Sequence, residues 1–187
     1  MHSHPPFPLP MPKTSTLVVI DVQDRLVPAM DKEAVAAFMR ATKLLISLYA
    51  HEGGPILVTE QYPKGLGKTV DEVSGALPDS CRMFEKRAFS ALREPTDAPL
   101  TFERDVIIVG MEAHVCVLQT ALDLIARGHR VFVVEDGVIS RRARDAAAGL
   151  AFLRDAGAWV IGCESLVFAA IERAEGETFK MLSAAIR

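Results

Sequence analysis

Short apolar runs alternate with amphipathic segments along most of the chain. The apolar runs are rich in Val, Ile and Leu, as expected for strands that are buried on both faces. They cover residues 16–21, 55–59, 105–110, 130–135 and 158–162, and a short edge strand is predicted at 83–86. Helical spacing of the apolar residues predicts helices at 31–52, 115–127 and 140–156, a short helical piece at 90–93 and two helical segments after residue 162. This alternation predicts a Rossmann-like, three-layer α/β/α domain with a doubly wound, mainly parallel sheet of about six strands.

Glycines and polar residues mark several of the predicted helix ends. Gly53, Gly128 and Gly157 each follow a helical segment, where glycine readily adopts the left-handed conformation that stops a helix. Ser140 is the predicted N-cap of the helix that follows it. Residues 60–80 are punctuated by Gly and Pro, and we expect them to form a long loop beside the active site.

The composition is that of a globular protein in a reducing compartment. Of the 187 residues, 50% are hydrophobic and the formal net charge is −3, so neither nucleic acid nor a membrane is expected as a partner. Three widely spaced cysteines, Cys81, Cys116 and Cys163, do not suggest a disulfide framework and favour a cytoplasmic location. Residues 1–13 carry five prolines and no apolar signal segment, so we expect a flexible arm before a single domain at 14–187.

One of these cysteines, Cys116, lies at a position that suits chemistry. It follows the predicted strand 105–110 and stands at the start of the helix 115–127. Helix N-termini carry partial positive charge, which favours a thiolate, and ligands of open parallel sheets bind at this edge. Free cysteines are also common as small apolar core residues. Position alone therefore leaves a nucleophile and a packing residue equally open.

Two charged residues could serve such a nucleophile. Asp21 closes the first strand, either as a base at the sheet edge or as an acceptor that orients a loop. Lys86 ends the predicted strand 83–86, where a plain surface lysine is the alternative. In a doubly wound sheet the first strand and the strand after the crossover are neighbours, which would bring Asp21 beside Cys116 across 95 positions. Together the three would form an acid, a cation and a thiol that attacks a carbonyl.

Other common site motifs are incomplete. Gly65–Thr69 resembles the end of a phosphate-binding loop, but Tyr62 stands where that pattern requires a glycine. The first strand is not followed by a dinucleotide-binding glycine pattern, and the serine-hydrolase elbow is missing. His114 and Cys116 alone do not make a zinc site. No cofactor and no metal are therefore expected.

Three motifs, in this order, resemble one family. They are Val19-Ile20-Asp21-Val22-Gln23, Phe84-Glu85-Lys86-Arg87-Ala88-Phe89-Ser90 and Gly110-Met111-Glu112-Ala113-His114-Val115-Cys116-Val117. From about residue 16 onward the chain resembles the isochorismatase-like cysteine hydrolases. The segments 59–67 and 120–124 further resemble a subgroup of isochorismatase-domain proteins whose physiological substrates are mostly unassigned.

The resemblance implies catalytic roles. Cys116 would be the nucleophile, Asp21 the general base and Lys86 the third member of a triad. The family carries a cis peptide bond after the strand glycine, which here would join Met111 and Glu112. The backbone N–H groups of Glu112 and Cys116 would then form an oxyanion hole.

The resemblance also implies a pocket and an assembly. Gln23 would brace the first loop at the substrate site, and Tyr62 and Phe89 would be pocket walls. The histidines with which nicotinamidase relatives bind a metal are replaced by Glu60-Gln61-Tyr62-Pro63-Lys64. Siderophore-type isochorismatases generally lack the cysteine, so its presence favours acyl chemistry. Ala113 replaces a threonine that is common in the family, which removes a loop hydroxyl.

The sequence therefore predicts a metal-independent cysteine hydrolase that acts on a small amide, ureido or ester-type substrate and forms a homo-oligomer. The alternative is a catalytically idle, ligand-binding or structural member of the same family. A redox sensor is a third possibility, and it would need a resolving partner for Cys116.

Overall fold

A single parallel sheet organises the computed structural model, which describes residues 9–94, 100–171 and 173–186. Its strands are β1 (Ser15–Ile20), β2 (Ile56–Gln61), β3 (Arg82–Lys86), β4 (Asp105–Met111), β5 (Arg130–Ile139) and β6 (Trp159–Ile161). They lie in the order β3-β2-β1-β4-β5-β6, with every neighbouring pair parallel. The strand order reverses between β1 and β4, so the ligand crevice of this fold is expected at their C-terminal ends. The predicted doubly wound sheet is confirmed.

Helices cover both faces of the sheet. They are α1 (Lys32–Glu52), α2 (Pro63–Leu66), α3 (Asp71–Ser74), α4 (Leu118–Ala126), α5 (Ala143–Asp155), α6 (Cys163–Ile171) and α7 (Gly176–Ile186). Every residue of β1 is buried, and successive side chains point to opposite faces. Leu17 and Val19 belong to the apolar core under α1 and α6, whereas Val18 and Ile20 belong to the core under α4 and α5. None of the helices in the described ranges is long and apolar enough to span a membrane.

The longest helix has the ends that its sequence predicts. The Asp31 carboxylate caps α1 by accepting hydrogen bonds from the backbone N–H groups of Glu33 and Ala34, at 3.1 and 3.0 Å. Gly53 ends it in the left-handed conformation, with φ of 72°. This helix leads the chain from β1 to the start of β2.

Several predicted boundaries are wrong. β5 extends four residues past the predicted stop at Glu135, and Ser140 follows its last residue. Ser140 does not cap α5, because α5 begins at Ala143 and the Ser140 hydroxyl is hydrogen bonded to His114 Nδ1 at 2.9 Å. The helix predicted at 115–127 starts earlier, as a π-helical turn over Ala113–Val117 that continues into α4.

The predicted loop and arm also differ in part. The first residues of the stretch 60–80 extend β2, and the rest contains the short helices α2 and α3. Residues 1–8 of the predicted arm lie outside the described residues. From Leu9 onward the chain packs on the domain, with Pro10 and Pro12 buried.

Candidate active site

Three predicted site residues meet at the C-terminal edge of the sheet. Asp21 follows β1, Lys86 ends β3, and Cys116 lies in the π-helical turn after β4. Their exposed fractions are 0, 1 and 6%. Lys86 Nζ donates to Asp21 Oδ2 at 2.7 Å, and the charges of both groups act on the neighbouring Cys116 thiol. A thiol, a carboxylate and an ammonium group thus form one buried cluster.

Thr59, at the end of β2, holds the carboxylate in place. Its hydroxyl donates to Asp21 Oδ1 at 2.6 Å, and its carbonyl accepts from the Asp21 backbone N–H at 3.1 Å. Asp21 itself has a positive φ of 52°, which turns the chain out of the sheet at this point. The two oxygens of the carboxylate therefore have different fixed partners, Thr59 and Lys86.

The ammonium group of Lys86 is held by more acceptors than Asp21 alone. Nζ also donates to Gln61 Oε1 at 2.8 Å and to the Phe89 carbonyl at 3.2 Å, with the Ala88 carbonyl at 3.4 Å. The Gln61 amide in turn donates to the carbonyl of Arg87 at 2.8 Å. Sequence reasoning did not assign roles to Thr59 or Gln61. Their only signal is a position at the C-terminal end of a strand next to β1.

Gln23 is buried and braces two loops. Its amide nitrogen donates to the carbonyls of Gln61 and Gly67, at 3.1 and 2.6 Å, and its oxygen accepts from the Gln61 backbone N–H at 2.8 Å. These bonds use the amide within the protein. We therefore expect Gln23 to position the loop after β2 and not to contact a substrate directly.

Gly110 sets the start of the loop after β4. Its φ is +125°, and a Cβ atom built on it would lie 2.1 Å from the carbonyl oxygen of Ile20. No other residue type fits this approach of β4 to β1. The peptide bond between Met111 and Glu112, one residue further along, is cis, as the resemblance implied. The candidate oxyanion donors Glu112 and Cys116 follow on this loop and on the turn after it.

Burial controls the protonation of the cluster. It raises the pKa of Asp21, against the lowering effects of Lys86, Thr59 and Cys116. Burial and the nearby Asp21 carboxylate raise the pKa of Cys116 to about 12, against the charge of Lys86. The expected lowering of the thiol pKa by the helix terminus is therefore wrong for the free protein, because desolvation outweighs it. Cys116 rests as a thiol, and forming the thiolate requires a nearby base.

The surroundings of Lys86 provide a candidate entrance. A cavity of about 300 Å³ adjoins it, lined by Tyr62, Pro63, Lys64, Glu85, Arg87 and Glu94. The Arg87 guanidinium lies 4.9 Å from the centre of the Tyr62 ring. Phe89 is exposed next to this region and does not line the cavity. In the described part of the chain, groups of three or more potential metal ligands are not found.

Comparisons with known proteins agree with this fold. The isochorismatase domain model matches residues 15–165. The "Secreted isochorismatase effector Isc1" of Phytophthora sojae is 33% identical over 183 residues, which cover 95% of this chain and 86% of that protein. The "MAR1 Ribonuclease" structure from Caenorhabditis elegans is 34% identical with a TM-score of 0.86, and covers 95% of this chain and 91% of that one.

A more distant neighbour shares the fold alone. The Escherichia coli YcaC gene product, described as an octameric hydrolase of unknown specificity, is 17% identical with a TM-score of 0.77; 97% of this chain and 92% of that chain are covered. Family membership supports a hydrolase-type function. The chain belongs to the isochorismatase family and has the fold of its hydrolases.

Proposed function

We propose that the protein is a metal-independent cysteine hydrolase that cleaves a small amide, ureido or ester-type substrate through a thioester on Cys116. The observation that carries this proposal is the buried ion pair of Asp21 and Lys86, whose charges act on the buried thiol of Cys116. Burying a charged pair costs free energy unless the pair has further partners. Such a pair placed against a thiol at a ligand-binding edge is typical of a catalytic site.

The first step is activation of the thiol. Asp21 takes the proton from Cys116 Sγ, and Lys86 stabilises the thiolate that forms. The thiolate attacks the carbonyl carbon, so that an S–C bond forms and the electron pair of the C=O double bond moves to oxygen. The N–H groups of Glu112 and Cys116 stabilise this oxyanion, and one such donor contributes roughly 3–4 kcal/mol to lowering the barrier.

The later steps return the proton and release the acid. When the tetrahedral intermediate collapses, the bond to the leaving nitrogen or oxygen breaks, and protonated Asp21 donates its proton to that atom. Water then attacks the thioester while Asp21 takes a proton from it. The S–C bond breaks, the carboxylic acid leaves, and the thiolate regains its proton from Asp21. The raised pKa of Asp21 favours this role, because its carboxyl can hold a proton between steps.

A substrate panel with trapping of the acyl adduct tests the proposal. We expect amides, ureides or activated esters such as p-nitrophenyl acetate to add an acyl group to the peptide that contains Cys116, as measured by mass spectrometry. Cys116→Ala should lose the adduct and the turnover. Cys163→Ala is the matched control, since Cys163 is also buried but lies in the core on the other face of the sheet. Turnover by Cys116→Ala at the wild-type rate would disprove the mechanism.

The raised pKa of Cys116 favours one second candidate, a catalytically idle member that binds a ligand or serves an assembly. Iodoacetamide separates the two. A thiol activated by Asp21 should be alkylated at Cys116 well below pH 8, whereas an idle thiol should react only as the pH approaches its own pKa. RNA belongs in the substrate panel because the C. elegans neighbour is described as a ribonuclease. RNA cleavage that needs Cys116 would replace acyl transfer in this proposal.

Three further expectations stay proposals. A homo-oligomer is supported by the octameric E. coli neighbour and can be tested by light scattering. The cytoplasm remains the predicted compartment, although the P. sojae relative is described as secreted. A redox-sensor role is disfavoured because Cys81 and Cys163 pack in the core on the opposite face of the sheet from Cys116. Mild peroxide treatment followed by mass spectrometry should therefore give no disulfide at Cys116.

A further inference from the structure

Two neighbouring contacts join residues 112–114, which we call the oxyanion loop because they begin at the candidate donor Glu112, to Ser140 and Arg141 after β5. One carboxylate oxygen of Glu112 accepts from the backbone N–H of Arg141 and from its Nε, both at 3.0 Å; the other oxygen lies 3.2 Å from that Nε. Two residues after Glu112 and one residue before Arg141, His114 Nδ1 and Ser140 Oγ are 2.9 Å apart. The proposed mechanism uses neither contact. Both act on the stretch that carries the candidate N–H donors.

The Glu112 side chain does not cap the helical turn that follows it, although Glu112 occupies the N-cap position. Glu112 is the residue just before the π-helical turn, where a side chain usually caps the free N–H groups of the first turn. Its carboxylate makes no such bond. It faces Arg141 instead and is only 9% exposed, whereas the arginine side chain is 60% exposed. The buried partner of this ion pair therefore lies on the oxyanion loop.

Close packing supports the same anchorage. A Cβ atom added to Gly149, in α5, would lie 3.0 Å from His114 Cα and 3.2 Å from the carbonyl oxygen of Ala113. The helix that follows Arg141 thus packs directly on the backbone of the turn that contains Cys116. The Glu112–Arg141 ion pair therefore joins the two segments before α5 begins, and Gly149 allows α5 to approach the turn closely further along.

We propose that Glu112, held by Arg141, is a positioning residue that fixes the direction of its own backbone N–H toward the developing oxyanion. This inference rests on the proposed function and adds a residue pair to it. An oxyanion donor works only if it is aligned before charge develops, and displacements of about 1 Å can cost about 100-fold in rate. Without this clamp, the ion pair between Glu112 and Arg141, Cys116 stays in place, but the backbone N–H of Glu112 can turn away from the oxyanion.

Two reactions of the same thiol separate positioning from general damage. Acylation of Cys116 by p-nitrophenyl acetate forms an oxyanion, with p-nitrophenolate as the leaving group. Alkylation by iodoacetamide forms the S–CH₂ bond and releases iodide without an oxyanion. Both need the thiolate that Asp21 generates, and both rates can be measured on the Cys116 peptide by mass spectrometry.

We expect Arg141→Ala to lower the acylation rate about 10- to 100-fold and to leave the alkylation rate within about twofold. Glu112→Gln keeps an acceptor for both the backbone N–H and the Nε of Arg141, so it should lose less than Arg141→Ala, which leaves only the backbone N–H contact. Arg141→Lys restores a positive charge beside the carboxylate and should recover part of the loss. The control is Arg142→Ala, which removes a neighbouring arginine that is 69% exposed and whose ion-pair partner is Asp145, at 4.0 Å.

The outcomes are distinct. Equal losses in both reactions would mean that the clamp supports the whole site, and no loss in acylation would mean that it is not needed; either result overturns the positioning role. If wild-type Cys116 is alkylated but never acylated by p-nitrophenyl acetate or any other acyl donor, the proposed function is wrong and the inference falls with it. Normal wild-type acylation with unaffected variants would overturn the inference alone.

Discussion

Replacing Lys86 by methionine should destabilise the fold strongly and in a pH-dependent way. Methionine fills much of the same volume but removes the ammonium group from a site that is almost completely inaccessible to water. Asp21 would keep the hydroxyl of Thr59 and lose its cation, while Gln61 Oε1 and the Phe89 carbonyl would each lose a donor. A buried carboxylate without a counter-charge must either stay charged at a high cost or take up a proton.

The size of the effect follows from these lost contacts. Removing one partner of a buried ion pair typically costs about 3–5 kcal/mol, and total stabilities of domains are about 5–15 kcal/mol. The pKa of Asp21, already raised in the wild type, should rise further. The folded variant would then keep a proton that the unfolded chain releases near pH 4. Its stability should therefore fall as the pH rises from about 4 through the folded-state pKa of Asp21.

Urea denaturation followed by circular dichroism at pH 5 and pH 8 measures this loss. Lys43→Met is the matched control, because the Lys43 side chain is 43% exposed and its Nζ lies 3.6 Å from the carboxylate of exposed Glu72, a contact expected to contribute less than about 1 kcal/mol. If the Lys86 variant is too unstable to purify, Asp21→Asn with Lys86→Met removes both charges and should be more stable than Lys86→Met alone. A loss below about 1 kcal/mol for Lys86→Met, or a loss that is equal at both pH values, would refute the reasoning.

Two further predictions concern stability. Gly110→Ala should destabilise the fold by about 3 kcal/mol or more, because its Cβ would lie 2.1 Å from the Ile20 carbonyl oxygen. Gly128→Ala, at φ +85° with no atom within 4 Å, should cost only about 1 kcal/mol. Equal melting temperatures of the two variants would contradict this prediction. Stability should also fall between about pH 9 and pH 12, since burial raises the pKa of both Cys116 and Cys163 to about 12 while the unfolded thiols ionise near pH 8.5. Thermal melting of Cys116→Ala should show a shallower alkaline decline, and an unchanged slope would mean that the thiol ionises at its ordinary pH.

The alternation of strands and helices could be predicted from the sequence because β1, β2 and β4 are continuous apolar runs. The end of β5 at Ile139 could not be predicted in this way. Glu135 and Asp136 are exposed and polar, which is typical of a strand end, yet the strand continues to Ile139. A register irregularity opposite Ile108 and Gly110 accommodates these residues, and such irregularities have no clear sequence signal.

The same limit applies to the candidate site. The closeness of Asp21 and Cys116 could be predicted from strand ends and sheet topology, whereas the role of Lys86 depended on the family motifs. The direction of the Cys116 pKa depends on how much water reaches the thiol, and the sequence shows the helix terminus but not the desolvation. Thr59 and Gln61 were overlooked because polar residues at strand ends are common, and only the structure shows where their side chains point.

Lys86 is the last residue of β3, which is an edge strand of the sheet, so the site is complete only while β3 stays paired with β2. Among the described residues, β3 pairs only with β2, and Arg82, Met83 and Glu85 are exposed along it. Edge strands open more readily than central ones, without unfolding the rest of a domain. A molecule whose β3 has opened would keep Asp21 and Cys116 on the central strands but lose the cation between them. The fraction of competent molecules is then set by this local opening, which hydrogen exchange of the β3 amides can measure, and any contact that covers this edge would raise that fraction.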